Sequence, residues 1–200
     1  MSFGFPVDHQ LIKDAIAKVH TDRDGSVIFL ASAGNSPLEY ESFPARHPSV
    51  ISIYATNCYG TFAESNAKSR NDGPAILGTF GDGIPDEFLK DISAAYPKVC
   101  QPGSSVATAV AAGMGATLLA YTSLLMSLDI HSGGTNNSTK RVFRRLWESQ
   151  GIEAVFKGMA TEMQSRKLFV NPIEFWMKKR DDFSRQCAIH HWLQEVDITH

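Results

Sequence analysis

Two places in the chain hold residues that could do chemistry. The first is Gly103-Ser104-Ser105-Val106-Ala107-Thr108-Ala109, at the head of a run of small and apolar residues that stays uncharged through Ser127. A helix over this run is apolar all round, so burial in a core is expected. The free N–H groups and positive dipole end of such a helix favour a developing negative charge. A serine in the first turn there can act as a nucleophile with oxyanion donors at hand. The plainer alternative makes Ser104 or Ser105 an N-cap and nothing more. The second place is Ser32-Ala33-Gly34-Asn35-Ser36, just after the apolar run Val27-Ile28-Phe29-Leu30-Ala31. An Asn past a Gly at a strand tip can aim its amide at an oxyanion. Gly-Asn-Ser also makes an ordinary turn.

The elements that must position these residues follow from the apolar pattern. Val27–Ala31 and Ser49–Thr56 read as strands, the first apolar enough to be buried on both faces of a parallel sheet. Upstream, Leu11, Ile12, Ala15, Ile16 and Val19 recur at helical spacing, with Asp8 in place to cap. Helix, buried strand, strand and buried helix in that order give an α/β fold. A further helix is expected over 86–96. Beyond the connector 131–138, Val142, Phe143, Leu146 and Trp147 mark an amphipathic helix. Ile152, Val155, Phe156, Met159 and Met163 mark another. Asn171-Pro172 opens a third, and Phe183, Cys187 and Trp192 lie on a fourth.

Composition sets the outer bounds. The chain has 200 residues, 43% hydrophobic and 20% charged, with a formal net charge of −2. That is an ordinary globular composition with no electrostatic call for nucleic acid or a membrane. Charge is uneven: residues 1–138 hold 8 basic and 13 acidic side chains, and residues 139–200 hold 11 and 8. Cys58, Cys100 and Cys187 are too scattered for a disulfide framework or a metal site, which fits a reducing, cytoplasmic setting. Asp82, Asp86 and Glu87 match no calcium loop, and the adjacent His190 and His191 point apart on a helix. No metal or cofactor is expected.

The motif strings carry a resemblance. Gly103–Ala109 is similar to G-T-S-M-A-T-P, the nucleophile motif of subtilisin-like serine peptidases (subtilases). It departs at Ser104, Val106 and Ala109. Ala33-Gly34-Asn35 resembles the A-G-N motif whose Asn completes the oxyanion hole. Residues 44–56 resemble P-A-x-x-P-x-V-I-x-V-x-A-T, and Gly60–Asn66 is a shortened G-x-x-A-x-F-S-N. Met1-Ser2-Phe3-Gly4 resembles the strand-ending M-S-[LF]-G that lines the substrate cleft. Together these cover roughly residues 1–125, and the tail is similar to that of fungal intracellular subtilases.

The resemblance implies a partial subtilisin-like parallel-sheet domain over 1–130 with a buried central helix, followed by a helical C-terminal extension over 139–200. It implies endoproteolysis of peptide or protein substrates through an acyl-enzyme on Ser105. Asn35 and the Ser105 N–H would hold the oxyanion. Ser2, Phe3 and Gly4 on one side and Ser32, Ala33 and Gly34 on the other would wall the substrate. The family's Asp and His motifs, D-[ST]-G and H-G-[ST], precede A-G-N. The 34 residues before Asn35 contain neither, and His9 and His20 match neither. The chain therefore reads as the later half to two-thirds of a subtilase domain. Its partner would be the missing earlier part, and it would have little activity alone. The alternatives are a non-catalytic pseudoprotease and an interaction module working through its basic tail.

Overall fold

The structure is a computed structural model that describes residues 1–69, 75–83, 102–132, 137–164, 166–178 and 181–196. The helix expected over 86–96 lies outside these, as do Cys100, Asp86 and Glu87. The elements run α1 (Gln10–Asp22), β1 (Phe29–Ser32), β2 (Val50–Thr56), β3 (Ile76–Phe80), α2 (Ser104–Ser132) and α3 (Asn137–Arg144). After a single 3-10 turn follow α4 (Ser149–Met159), β4 (Ala160–Gln164), β5 (Lys167–Val170), α5 (Pro172–Lys178) and α6 (Asp182–Gln194). The expected α/β class with a parallel sheet is what forms.

The five strands lie in the order β1-β2-β3-β5-β4. The first three pairings are parallel, with Phe29 opposite Val50, Ile53 opposite Leu77 and Ile76 opposite Lys167. β4 closes the far edge antiparallel to β5. At the near edge Met1 continues the sheet by one residue. Its N–H donates to the Leu30 carbonyl, and its carbonyl accepts from Ser32 N–H at 3.0 Å. That pair of bonds sets Met1 parallel and opposite Ala31.

Alternation along the strands splits the core. Ile51, Ile53, Ala55 and Leu77 face α2 and join the main cluster, whereas Ala31 and Val50 face Ile16 of α1 and Ala45. Of the α1 face read from the sequence, Ile16 alone is buried; Leu11 is 75% exposed. Asp8 does not cap α1. It accepts from Arg46 at 2.7 and 2.8 Å and lies 3.7 Å from Lys13. These cations, Arg46 foremost, hold its carboxyl below the usual range.

Two expectations are revised. The sequence of α2 predicts enclosure on every side, but only one face is buried. Ala107, Ala111, Met114, Leu118 and Leu125 pack inward, while Ala109, Ala112, Gly113, Ala116 and Ala120 are exposed. By length and composition Ser104–Ser127 would suffice to cross a membrane, yet here its buried face lies against β1, β2 and β3. The stretch 139–200 is not purely helical either: it supplies β4 and β5 to the sheet. Phe143, Leu146, Ile152, Val155, Phe156 and Leu193 share one cluster with the strands and α2. Asn171 caps α5 as read, accepting from Ile173 N–H at 3.1 Å, and Asp181 caps α6.

Two outcomes test this packing. Phe156→Ala, at a fully buried position, is expected to cost about 3–5 kcal/mol in urea unfolding, with a single transition for the whole chain. Tyr121 on α2 donates to Asp182 at 3.0 Å. Burial first, then this bond and the Asp182 charge, push its hydroxyl up to about 12. Its stabilising contribution is complete below the unfolded-state tyrosine value near 10 and is lost as pH rises through the folded value. Ultraviolet titration of Tyr121→Phe should therefore lack the late ionisation step near 12.

Candidate active site

The N-terminus of α2 lies at the carboxyl ends of the parallel strands. Glycine makes this approach possible. Gly103 N–H donates to Gly81 carbonyl at 2.6 Å, and Gly81 is itself tied to β2 through Thr56 carbonyl at 3.0 Å. A β-carbon on Gly81 would come within 2.7 Å of Gly103 carbonyl and 2.8 Å of Ala107. Gly103 has φ +154°, which side chains rarely tolerate. A β-carbon there would meet Asn35 Nδ2 at 2.7 Å.

Asn35 reaches the helix from the tip of β1. Its Oδ1 accepts from Ser104 N–H at 2.8 Å and from Ser104 Oγ at 2.7 Å. The oxygen end of the amide thus caps one orphan N–H of the helix. The oxygen being anchored, the Nδ2 end is left to donate elsewhere. Ser104 is fully buried. Its Oγ also lies 2.6 Å from Ser32 Oγ and accepts from Gly34 N–H at 3.2 Å. The serine pair read from the sequence therefore divides its labour. Ser104 ties β1's tip to α2, and Ser105, half-buried, faces outward.

Ser105 Oγ lies 3.5 Å from Ser2 carbonyl, a weak contact, and none of the described histidines bonds it. Its backbone N–H sits in the first turn, where no carbonyl four residues back lies within the helix. No acidic side chain occupies that turn, so the positive helix end is open to a developing anion. Ser105 N–H and the Asn35 amide are one residue apart across the Asn35–Ser104 bond.

The flanking residues differ in what they have free. Ser2, Phe3 and Gly4 are exposed, and the backbone groups of Phe3 and Gly4 make no hydrogen bond among the described residues. Ser32 and Ala33 are buried. Ala33 N–H donates to Ile53 carbonyl at 3.0 Å, its carbonyl accepts from Ser42, and Gly34 carbonyl accepts from Ala67 at 3.1 Å. His47 is occupied elsewhere: its Nδ1 accepts from Ser49 N–H at 3.2 Å and its ring lies edge-on to Phe43. Burial, then the Lys13 charge, lower its pKa. Sequence reasoning had no role for Ser104 beyond capping. The signal was the hydroxyl at the second position of the motif.

The family model of the subtilase family matches residues 1–151. The chain belongs to the subtilase family. Members of this family are serine peptidases. Among solved structures this subtilase chain is similar to the prenylagaramide maturation protease PagA, at 18% identity and a TM-score of 0.49. The similarity covers 97% of this chain but 58% of PagA, so the chain spans less than two thirds of that protein's length. Comparison with curated proteins finds no match.

Removing the tie between strand and helix tests the site's construction. Ser104→Ala leaves Gly34 N–H without its acceptor and removes the hydroxyl's bonds to Asn35 and Ser32, while the backbone N–H of residue 104 keeps its bond to Asn35. It is expected to cost about 1–3 kcal/mol, measured by urea unfolding.

Proposed function

We propose that Ser105 is the nucleophile of an acyl-transfer peptidase site, with Ser105 N–H and Asn35 Nδ2 as the oxyanion donors. An extended peptide would add alongside Ser2-Phe3-Gly4, using the unpaired backbone groups there as an edge strand does. The observation that carries this reading is the Asn35–Ser104 bond. It sets an amide and a free helix N–H beside one half-buried serine hydroxyl.

The reaction also needs a base to take the hydroxyl proton and a group to orient that base. Neither bonds Ser105 among the described residues. We place both on polypeptide that completes the sheet beside β1. Two features support that placement: Met1 already stands in parallel register with Ala31 at this edge, and the outer face of α2 is uncovered. Without that polypeptide the same cleft would bind peptide and cut slowly. The weak contact of Ser105 Oγ with a carbonyl in place of a base favours this second, pseudoprotease-like behaviour for the chain alone.

A fluorophosphonate probe tests the reading, with imidazole added as an external base. Imidazole is expected to accelerate labelling of the chain, and Ser105→Ala to abolish it. Asn35→Leu should slow labelling by about a hundred- to a thousand-fold, the loss known for removing one such donor in subtilisin. A chain that stays unlabelled in imidazole, or that labels equally without Ser105, contradicts the assignment.

A further inference from the structure

A pocket of about 470 Å³ opens on the face of the sheet turned away from α2, where the buried Tyr54 lines it. Backbone bonds hold its walls. Tyr40 and Lys68 stand side by side in a bridge, with Lys68 N–H donating to Glu39 carbonyl at 2.8 Å and its carbonyl accepting from Glu41 at 3.2 Å. Asn66 bonds both backbone groups of Ala55, at 2.9 and 2.8 Å, and so fixes the loop that carries Phe62. The Phe62 ring lies on Gly78 of β3, where a β-carbon would come within 2.7 Å of it. Lys167, opposite Ile76 in the sheet, sets its ammonium 5.3 Å from the centre of that ring.

Charge in this pocket is unbalanced. Lys68 and Lys167 both line it, and neither has a carboxylate at ion-pairing distance among the described residues. Glu64 lines the same pocket but pairs with neither. The Glu41 carboxylate is engaged by Tyr54, whose hydroxyl donates to it at 2.8 Å. Lys167 is half-buried, so its ammonium has given up part of its water for a ring face alone. An anion beside it restores what burial removed.

We propose that this pocket binds a small phosphate monoester carried on a planar ring. Two lysines supply two positive charges, which match a dianion better than a monoanion, and the lysine ammonium binds phosphate well as a point charge. The Phe62 face is taken by Lys167, whereas the exposed Tyr40 ring offers a face for the ligand's ring. The volume is that of a small-molecule site. The pocket shares none of its lining residues with the cleft at Ser105, so binding here is independent of the peptidase reading.

Titration of the full chain with phenyl phosphate, followed by NMR, tests this. The backbone resonances of Tyr40, Lys68 and Lys167 are expected to shift along one saturable curve. Inorganic phosphate, which lacks the ring, and benzoate, which carries a single charge, should each bind several-fold more weakly. Lys68→Gln should weaken phenyl phosphate about tenfold, and Lys68→Arg should retain it, with the fold checked by circular dichroism. Lys167→Gln should weaken it to the same degree. The absence of a saturable shift at tens of millimolar probe, shifts confined to the start of α2, or equal affinity in a folded Lys68→Gln protein overturns the site. Inorganic phosphate binding as tightly as phenyl phosphate overturns the ring's part in it.

Discussion

The arrangement depends on one buried junction, where Ser104 Oγ meets Asn35 Oδ1 at 2.7 Å and Ser32 Oγ at 2.6 Å. A buried hydroxyl left without partners costs about 1–3 kcal/mol, so the protein has strong reason to keep these groups together. The consequence is geometric. The tip of β1 cannot drift from the start of α2 without orphaning Ser104, Asn35 and Gly34 N–H at once. Ser105 inherits its position from this lock, because it is the next residue along a helix that cannot slide. Gly81 and Gly103 serve the same end by letting backbone approach where a β-carbon would collide.

Around the junction the fold is asymmetric. On one side the chain past residue 139 wraps back, adds β5 to β3 in parallel and buries Phe143, Phe156 and Phe175 in the common core. On the other, a long face of α2 made of alanine and glycine remains exposed, and among the described residues the outer edge of β1 is flanked only by Met1. Small side chains lose little by exposure one at a time. A continuous uncharged face of them is nevertheless the surface on which another element packs closely. The side of the junction with Asn35 and Ser105 is therefore held by hydrogen bonds, while the outer face of α2 is open.

Much of this was legible in the residues. The apolar run at Val27–Ala31 and the strand pattern at Ser49–Thr56 located β1 and β2, although β1, at the sheet's edge, is only half-buried at Phe29 and Leu30. The A-G-N and G-S-S strings marked two stretches, a strand tip and a helix start, that the fold joins through the Asn35–Ser104 bonds. The exposure of α2 was not legible. Apolar composition says that a helix can be covered, and what covers it is a matter of the surrounding chain. β4 and β5 were missed because Ala160–Gln164 and Lys167–Val170 are short, lie at or near the sheet's edge and follow helical spacing directly. Met163, read as the last residue of a helical stripe, sits in β4 instead.

The central claim is that two donors on different elements converge on one anion. Titration of the chain with a peptide boronic acid, followed by NMR of the Ser105 backbone N–H and the Asn35 side-chain amide, tests it most directly. Both resonances should shift together along one binding curve. A shift in either alone, with the other unmoved at saturation, contradicts the account.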